Sequence, residues 1–138
     1  MEKYLLDTNV CIDLFNDKNG IKKKIYRAGI TNCCISEITI AELYYGLAKG
    51  SYKDRLLHDI ISAERLFNII PSYPSYKEYG EIRYYLERIG RRIDEFDLLI
   101  GATAVHNNLI LVTANTKHFI NIPDIQLENW VSENTKTI

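Results

Sequence analysis

Five short segments of this 138-residue chain are predicted strands, and most of them lack the polar alternation of strands that have one face in water. Longer stretches with helical periodicity separate them. Strands buried on both faces belong to parallel sheets that helices cover on both sides. The sequence therefore predicts an α/β fold with a mainly parallel sheet. The predicted strands are 3–6, 32–35, 67–70, 109–113 and 125–128.

The helical stretches have recognisable starts. Thr8 or Asn9 is expected to cap the first helix, and Ser36 the third. The third helix is apolar on two faces, so both need cover, one of them from the sheet and the other from a further helix or a second subunit. The helices predicted after the first one span 22–27, 36–48, 54–66, 75–89 and 97–107.

Size and composition predict a single globular domain over residues 1–138. Hydrophobic residues make up 46% and charged residues 25%, which argues against disorder, and a net charge of -1 neither demands nor excludes a nucleic-acid partner. We expect no signal peptide and no membrane span. The three cysteines, Cys11, Cys33 and Cys34, lack metal-ligand spacing and are typical of reduced, buried cysteines in a cytoplasmic protein.

Three carboxylates stand in apolar surroundings in distant parts of the chain. Asp7 follows the first predicted strand, Glu42 lies inside the third helix, and Asp97 opens an apolar stretch. Ionised acids avoid burial unless they are paired, hydrogen-bonded or bound to metal. Ligands of parallel sheets bind at the carboxyl ends of the strands. Because Asp7 and Asn115 each follow a strand, we expect these groups and the two other acids to meet at one sheet edge.

A divalent cation is the ligand that best suits such a set. Magnesium and manganese prefer hard oxygen ligands, so Asp7, Glu42 and Asp97 are predicted as metal ligands and catalytic acids. Asn115 offers a side-chain oxygen, or orients a water, without a fourth charge. A bound metal lowers the pKa of a water and stabilises charge on a phosphodiester. The predicted metal is held chiefly by Asp7 and Asp97, while Glu42 is a ligand or accepts a proton from the water.

Each acid also has a simpler interpretation. Asp7 and Asp97 are each well placed to cap a helix, and Glu42 lies in a helix whose exposed face is hard to assign. Asp94 and Glu95 are interpreted as loop or surface acids. Two hydroxyls, those of Thr8 and Thr113, flank the acids. They are expected to bond a carboxylate or a metal-bound water, or else to serve in helix capping and strand-end bonding.

Four segments in this order resemble the PIN-domain family, and their spacing and the chain length are similar to its VapC-type toxin ribonucleases. The segments are Leu-Leu-Asp-Thr-Asn at 5–9, Ile-Ala-Glu-Leu at 40–43, Phe-Asp-Leu-Leu-Ile-Gly-Ala at 96–102 and Val-Thr-Ala-Asn-Thr-Lys-His-Phe at 112–119. The resemblance implies a three-layer α/β/α sandwich with about five strands. It also implies a magnesium- or manganese-dependent endoribonuclease, a homodimer and a VapB-type antitoxin partner.

By motif position, Asp7, Glu42 and Asp97 take the acidic roles of the family. Asn115 falls where many relatives have a further acid, and some VapC-type relatives carry Glu at the position of His118. Both differences favour one strongly held metal over two.

An RNA substrate needs cationic contacts to its backbone. Arg91 and Arg92 precede Asp97 closely, and Lys117 lies in the last motif, so these three are the predicted substrate-binding residues. Two other functions stay open. One is a catalytically inactive PIN-like module that binds RNA or a protein. The other is a phospho-acceptor signalling domain, which usually has an acceptor acid after its third strand, where this chain has Pro71.

Overall fold

The computed structural model describes residues 2–50 and 54–131. Five strands form one sheet in the order β3-β2-β1-β4-β5, and every pairing is parallel. Strand order reverses at β1, which pairs with β2 on one side and β4 on the other, so the crevice at their carboxyl ends is where this class of sheet binds ligands. The strands are β1 Tyr4–Leu6, β2 Cys33–Ser36, β3 Asn68–Ile70, β4 Ile110–Val112 and β5 Gln126–Glu128.

Seven α-helices connect or flank these strands in the described part of the chain. The predicted helices are all present, with ends shifted by one or two residues. The seventh helix was not predicted, because four residues are too few to show a period of 3.6. The helices are α1 Thr8–Phe15, α2 Ile21–Ala28, α3 Glu37–Lys49, α4 Leu56–Leu66, α5 Tyr76–Arg88, α6 Glu95–His106 and α7 Thr116–Phe119, with 3₁₀ turns at Ile30–Asn32 and Tyr73–Ser75.

Consecutive residues of β1 serve opposite faces of the sheet. Leu5 packs into a cluster with residues of α5 and α6, whereas Leu6 packs into a second cluster with residues of α1, α2 and α4. Both leucines have no exposed surface. The central strands β1, β2 and β4 are therefore covered on both sides, which explains their lack of polar alternation and confirms the three-layer α/β/α sandwich. The edge strands β3 and β5 each begin with an exposed polar residue.

Helix α3 only partly follows the prediction that both its faces are covered. Leu43 is buried against Leu56 and Ile60 of α4. On the other side Tyr45 is 66% exposed and Ala41 is also exposed, so no described helix covers that part of the face. Cover from a second subunit stays a prediction.

Two helix starts differ from expectation. The expected cap at Thr8 or Asn9 is wrong: Asp7 caps α1, as its simpler interpretation predicted, since its side chain accepts a hydrogen bond from the backbone N–H of Thr8. The interpretation of Asp97 as a helix cap is wrong: Asp94 caps α6 by accepting from the N–H of Phe96 at 3.1 Å. Asp97 is thereby left for another role in the first helical turn. The cap at Ser36 is confirmed, with a bond of 3.0 Å from the N–H of Ile38.

The three cysteines are free and buried, as predicted. Burial raises the pKa of the Cys33 thiol to about 11. Within residues 2–50 and 54–131, no helix combines the length and apolarity needed to span a bilayer. The predicted single domain extends over 1–138, of which residues 1, 51–53 and 132–138 lie outside the described part.

Candidate active site

Three predicted acids come close enough to repel one another at the carboxyl edge of the sheet. Asp7 follows β1, Glu42 projects from α3, and Asp97 lies in the first turn of α6. The pKa of Glu42 is raised by burial and further by the charges of Asp97 and Asp7, although the hydrogen bond from Thr8 opposes the shift. Three acids that are far apart in sequence therefore lie within electrostatic reach of one another.

Both oxygens of the Asp7 carboxylate are held by neighbours. Oδ1 accepts from the backbone N–H of Thr8 at 2.8 Å, and Oδ2 accepts from the Thr113 hydroxyl at 2.9 Å. The side chain is buried, with 6% of the residue exposed. Burial raises the pKa of Asp7, and the two hydrogen bonds together with the nearby His118 oppose that rise. Asp7 is thus both the cap of α1 and a fixed acid of the site.

A chain of hydroxyls orients Glu42. Thr8 Oγ1 donates to Glu42 Oε1 at 2.6 Å and lies 3.0 Å from Thr39 Oγ1. Because a hydroxyl has one proton, Thr39 donates to Thr8 while Thr8 donates to Glu42. Thr39 is fully buried and was not predicted as a site residue. Its sequence signal is only its place one helical turn before Glu42, on the same side of α3.

Asp97 is in contact with a histidine of α7. His118 Nε2 lies 2.9 Å from Asp97 Oδ2. The pKa of Asp97 is raised by burial and then by the charge of Asp7; His118 opposes this rise and Asp94 adds to it. Of the three histidines in the chain, His118 therefore belongs to the acid cluster.

Asn115 lies at the edge of the cluster and is exposed. Its backbone N–H donates to Thr113 Oγ1 at 3.0 Å, and the same hydroxyl donates to Asp7. None of the described hydrogen bonds joins the Asn115 side chain to the three acids. The backbone of Asn115 thus supports Thr113, while the predicted role of its side-chain oxygen stays a prediction.

The acids Asp94 and Glu95 separate in the structure. Asp94 raises the pKa of both Glu42 and Asp97 by repulsion, so its charge belongs to the cluster. Glu95 turns towards α5, where its Oε2 accepts from the hydroxyl of Tyr79 at 2.6 Å. The signal that sequence reasoning passed over is the i, i+3 spacing of Asp94 and Asp97.

The predicted substrate-binding cations lie on two exposed segments of the chain. Arg91 and Arg92 are exposed in the segment between α5 and α6, and Lys117 is exposed on α7, one residue before His118. Arg92 lines a small recess together with Glu87 and Glu95. All three are accessible to a ligand, and their contact with RNA stays a prediction.

The donor chemistry of the cluster fits a hydrated magnesium or manganese ion. Within 2–50 and 54–131, no three or more Asp, Glu, His or Cys side chains are arranged to hold a metal by themselves. Magnesium retains several waters and is commonly bound through one or two carboxylates. Oxygen donors whose pKa is raised partly by mutual repulsion gain from a cation between them. The arrangement suits an ion bound partly through water rather than an ion enclosed by protein ligands.

The strand ends also bear on the phospho-acceptor alternative. β3 ends at Ile70, and the residue that follows it is Pro71. No acid therefore stands where such a domain usually carries its acceptor.

Comparison with known proteins identifies relatives along nearly the whole chain. A PIN domain model matches residues 4–125. Ribonuclease VapC2 of Rickettsia felis is 38% identical over 133 residues, which cover 92% of this chain and 97% of that protein. The tRNA(fMet)-specific endonuclease VapC of Shigella flexneri is 31% identical over 131 residues, 94% of this chain and 99% of the relative.

Solved structures give the same result. A chain in the crystal structure of VapBC2 from Rickettsia felis, bound to a DNA fragment from their promoter, superposes with a TM-score of 0.84 at 35% identity. The superposition covers 92% of this chain and 98% of that chain.

Proposed function

The chain belongs to the PIN-domain family and to its VapC-type ribonucleases, and from this membership we propose that the acid cluster is the catalytic centre of a magnesium- or manganese-dependent endoribonuclease. The enzyme hydrolyses RNA phosphodiester bonds and is the toxin of a VapBC-type toxin–antitoxin pair. The observation that carries the catalytic assignment is the convergence of Asp7, Glu42 and Asp97 from β1, α3 and α6.

The residues divide the chemistry between them. Asp7 and Asp97 are the groups that would hold the ion, because hydrogen bonds fix Asp7, His118 lies 2.9 Å from Asp97, and the charge of Asp7 acts on Asp97. A bound ion would supply a lowered pKa for a water and stabilisation of the charge on the phosphodiester. Glu42 is suited to accept a proton from the attacking water, since its pKa is raised and only Oε1 is taken by Thr8.

Partners follow from the relatives. The solved neighbours are chains of VapBC complexes, and we assign a VapB-type antitoxin to this chain. We also propose a homodimer, for which the exposed Tyr84, Tyr85 and Ile89 at the end of α5 offer an apolar face. Free, buried cysteines suit a reducing compartment, so the proposed place of action is the cytoplasm.

Cleavage of labelled RNA by the purified full chain tests the proposal. We expect cleavage with Mg²⁺ or Mn²⁺, none after chelation, and none by Asp7→Asn, because an amide does not replace the charge of a buried carboxylate. Asp59→Asn is the matched control, since Asp59 lies on α4 beside Arg55 and outside the cluster. Circular dichroism verifies that both variants are folded.

Two results would contradict the proposal. Cleavage by folded Asp7→Asn at the wild-type rate would place the catalytic centre elsewhere. RNA binding by the wild-type chain without cleavage, at any concentration of either metal, would support the inactive binding module instead.

A further inference from the structure

One short segment after β4 contacts two of the three acids. Thr113, directly after the strand, donates from its hydroxyl to Asp7 Oδ2 at 2.9 Å. His118, five residues later, places Nε2 at 2.9 Å from Asp97 Oδ2. The segment thus joins the acid of β1 to the acid of α6.

The imidazole of His118 is held in place by its own surroundings. The backbone N–H of His118 donates to the carbonyl of Asn115 at 3.1 Å, which fixes the start of α7. The ring packs edge-on against Phe119, with centroids 5.5 Å apart and planes at 88°. Phe119 is 1% exposed and belongs to the core cluster under α6. His118 is therefore attached to the same core that supports the helix of Asp97.

The contact with Asp97 also bears on the tautomer of the imidazole. A carboxylate oxygen only accepts hydrogen bonds, so an unprotonated Nε2 at 2.9 Å would oppose one lone pair to another. The hydrogen is therefore assigned to Nε2, which faces Asp97 Oδ2 and then has no lone pair left for a metal. The lone pair of Nδ1 lies on the other side of the ring and is directed away from this carboxylate.

We propose that His118 is a positioning residue, which fixes the Asp97 carboxylate by donating from Nε2 to Oδ2, leaves Oδ1 for the cation or its water, and is not itself a metal ligand. The inference rests on the proposed function. At the position where some VapC-type relatives carry Glu, it assigns a hydrogen-bond donor in place of a further negative charge.

Two substitutions separate the hydrogen bond from the ring. His118→Phe retains an aromatic ring that can pack on Phe119 but removes the N–H donor. His118→Gln removes the ring but retains an N–H donor of similar reach. Loss of a group that orients a metal ligand commonly lowers metal affinity or activity about 10- to 100-fold. We expect that loss in the Mn²⁺ affinity measured by calorimetry and in kcat of His118→Phe. KM for RNA should stay near the wild-type value, and His118→Gln should recover most of both losses.

Either of two outcomes would overturn the inference. If His118→Phe binds Mn²⁺ and cleaves RNA as the wild type does, the hydrogen bond has no part in the site. If His118→Gln is as impaired as His118→Phe, the donor is not the property that matters.

Electron spin echo spectroscopy of the Mn²⁺-loaded full chain tests whether the imidazole is a ligand. We expect no coupling to a directly bound nitrogen. A nitrogen coupling that is present in the wild type and absent from His118→Gln would make His118 a ligand and would refute the positioning role.

A thermodynamic cycle in metal-free protein tests the contact without reference to activity. We expect the effects of His118→Phe and Asp97→Ala on urea unfolding, followed by the fluorescence of the single tryptophan, Trp130, to be non-additive. His118→Phe with Asp59→Ala is the control pair and should be additive. Additivity of the first pair would overturn the inference even if RNA is cleaved. If the first pair is coupled but the wild-type chain neither binds Mn²⁺ nor cleaves RNA, the proposed function is refuted, and the positioning role with it.

Discussion

Acidic side chains occupy two neighbouring regions of this molecule in opposite ways. On the outer side of α5 and α6, acids face cations: Arg83 lies 3.2 Å from Glu87 and 3.3 Å from Glu95. In the acid cluster, Asp7, Glu42 and Asp97 are held by hydroxyls, a backbone N–H and one imidazole, with no Lys or Arg among these contacts.

The pKa values follow this division. The hydrogen bond from His106 lowers the pKa of Glu78 on α5. Burial, added to mutual repulsion, raises the pKa of Glu42 and Asp97. An acid that serves only the fold is paired, because an uncompensated buried charge lowers stability. Negative charge kept together without a cation indicates a site whose compensating charge is supplied from outside the chain.

The largest expected effect compares one acid from each region. Glu42→Gln should lower the rate of RNA cleavage by about 10²- to 10⁴-fold, because the amide cannot accept a proton. Glu95→Gln should leave the rate unchanged, since Glu95 is turned towards Tyr79 and Arg83. Single-turnover cleavage rates measure both. Equal losses in the two variants would remove the distinction between the regions.

Mn²⁺ should stabilise the folded chain through the acid cluster. At a free concentration 100 times its Kd, a ligand that binds only the folded state adds about 2.7 kcal/mol to the free energy of unfolding. Urea unfolding with Mn²⁺ and with a chelator measures this increase, which should be absent from Asp7→Asn. An equal increase in Asp7→Asn would place the ion outside the cluster.

Removing the hydroxyl between Thr39 and Glu42 should have a smaller effect on stability. Thr8→Val leaves the fully buried Thr39 hydroxyl without its acceptor, which costs about 1–3 kcal/mol. It should also lower kcat, because Glu42 loses the donor at Oε1. Thr8→Ser retains the hydroxyl and is the control in both urea unfolding and cleavage. If Thr8→Val matches Thr8→Ser in both assays, the hydroxyl chain has no role.

The smallest expected effect concerns the pH dependence of an acid outside the cluster. The backbone N–H and the hydroxyl of Ser72 donate to Glu37 Oε1 at 2.6 and 2.7 Å, and these bonds lower the pKa of Glu37. A lowered pKa in the folded state means that the stabilisation is present above the unfolded pKa and is lost as pH falls through the folded value.

Glu37→Gln should therefore be less stable than the wild type at neutral pH, and the difference should shrink in acid. Urea unfolding between neutral and acidic pH measures it, with Glu64→Gln as a control on the neighbouring helix α4. A difference that grows as the pH falls would contradict the assignment.

The parts of the site that depend on local sequence patterns could be predicted. Asp7 and Thr113 directly follow apolar strands, and such positions lie at the ligand-binding edge of any parallel sheet. The order of strands and helices followed from the same patterns. Burial on both faces of β1 explains why this strand could be predicted, since such burial favours apolar residues throughout a strand.

The parts that were missed depend on contacts between distant segments. Thr39 gains its role from a hydroxyl that lies 31 residues away in sequence. Nothing near His118 in the sequence indicates that α7 will place its ring against α6. Asp94 is the exception, because its capping bond to the N–H of Phe96 is local and its spacing of three residues from Asp97 could have been read from the sequence.

The bond between Asp7 and Thr113 has a further consequence for the time at which the site appears during synthesis. It joins residues 106 positions apart, and the backbone N–H of Asp7 bonds to Val112 of the same late strand. A nascent chain that has not yet emerged from the ribosome beyond β4 and α7 lacks Thr113 as a donor to Asp7 and His118 as a neighbour of Asp97. These two contacts of the acids therefore form only after residues 110–119 have been made, long after the acids themselves.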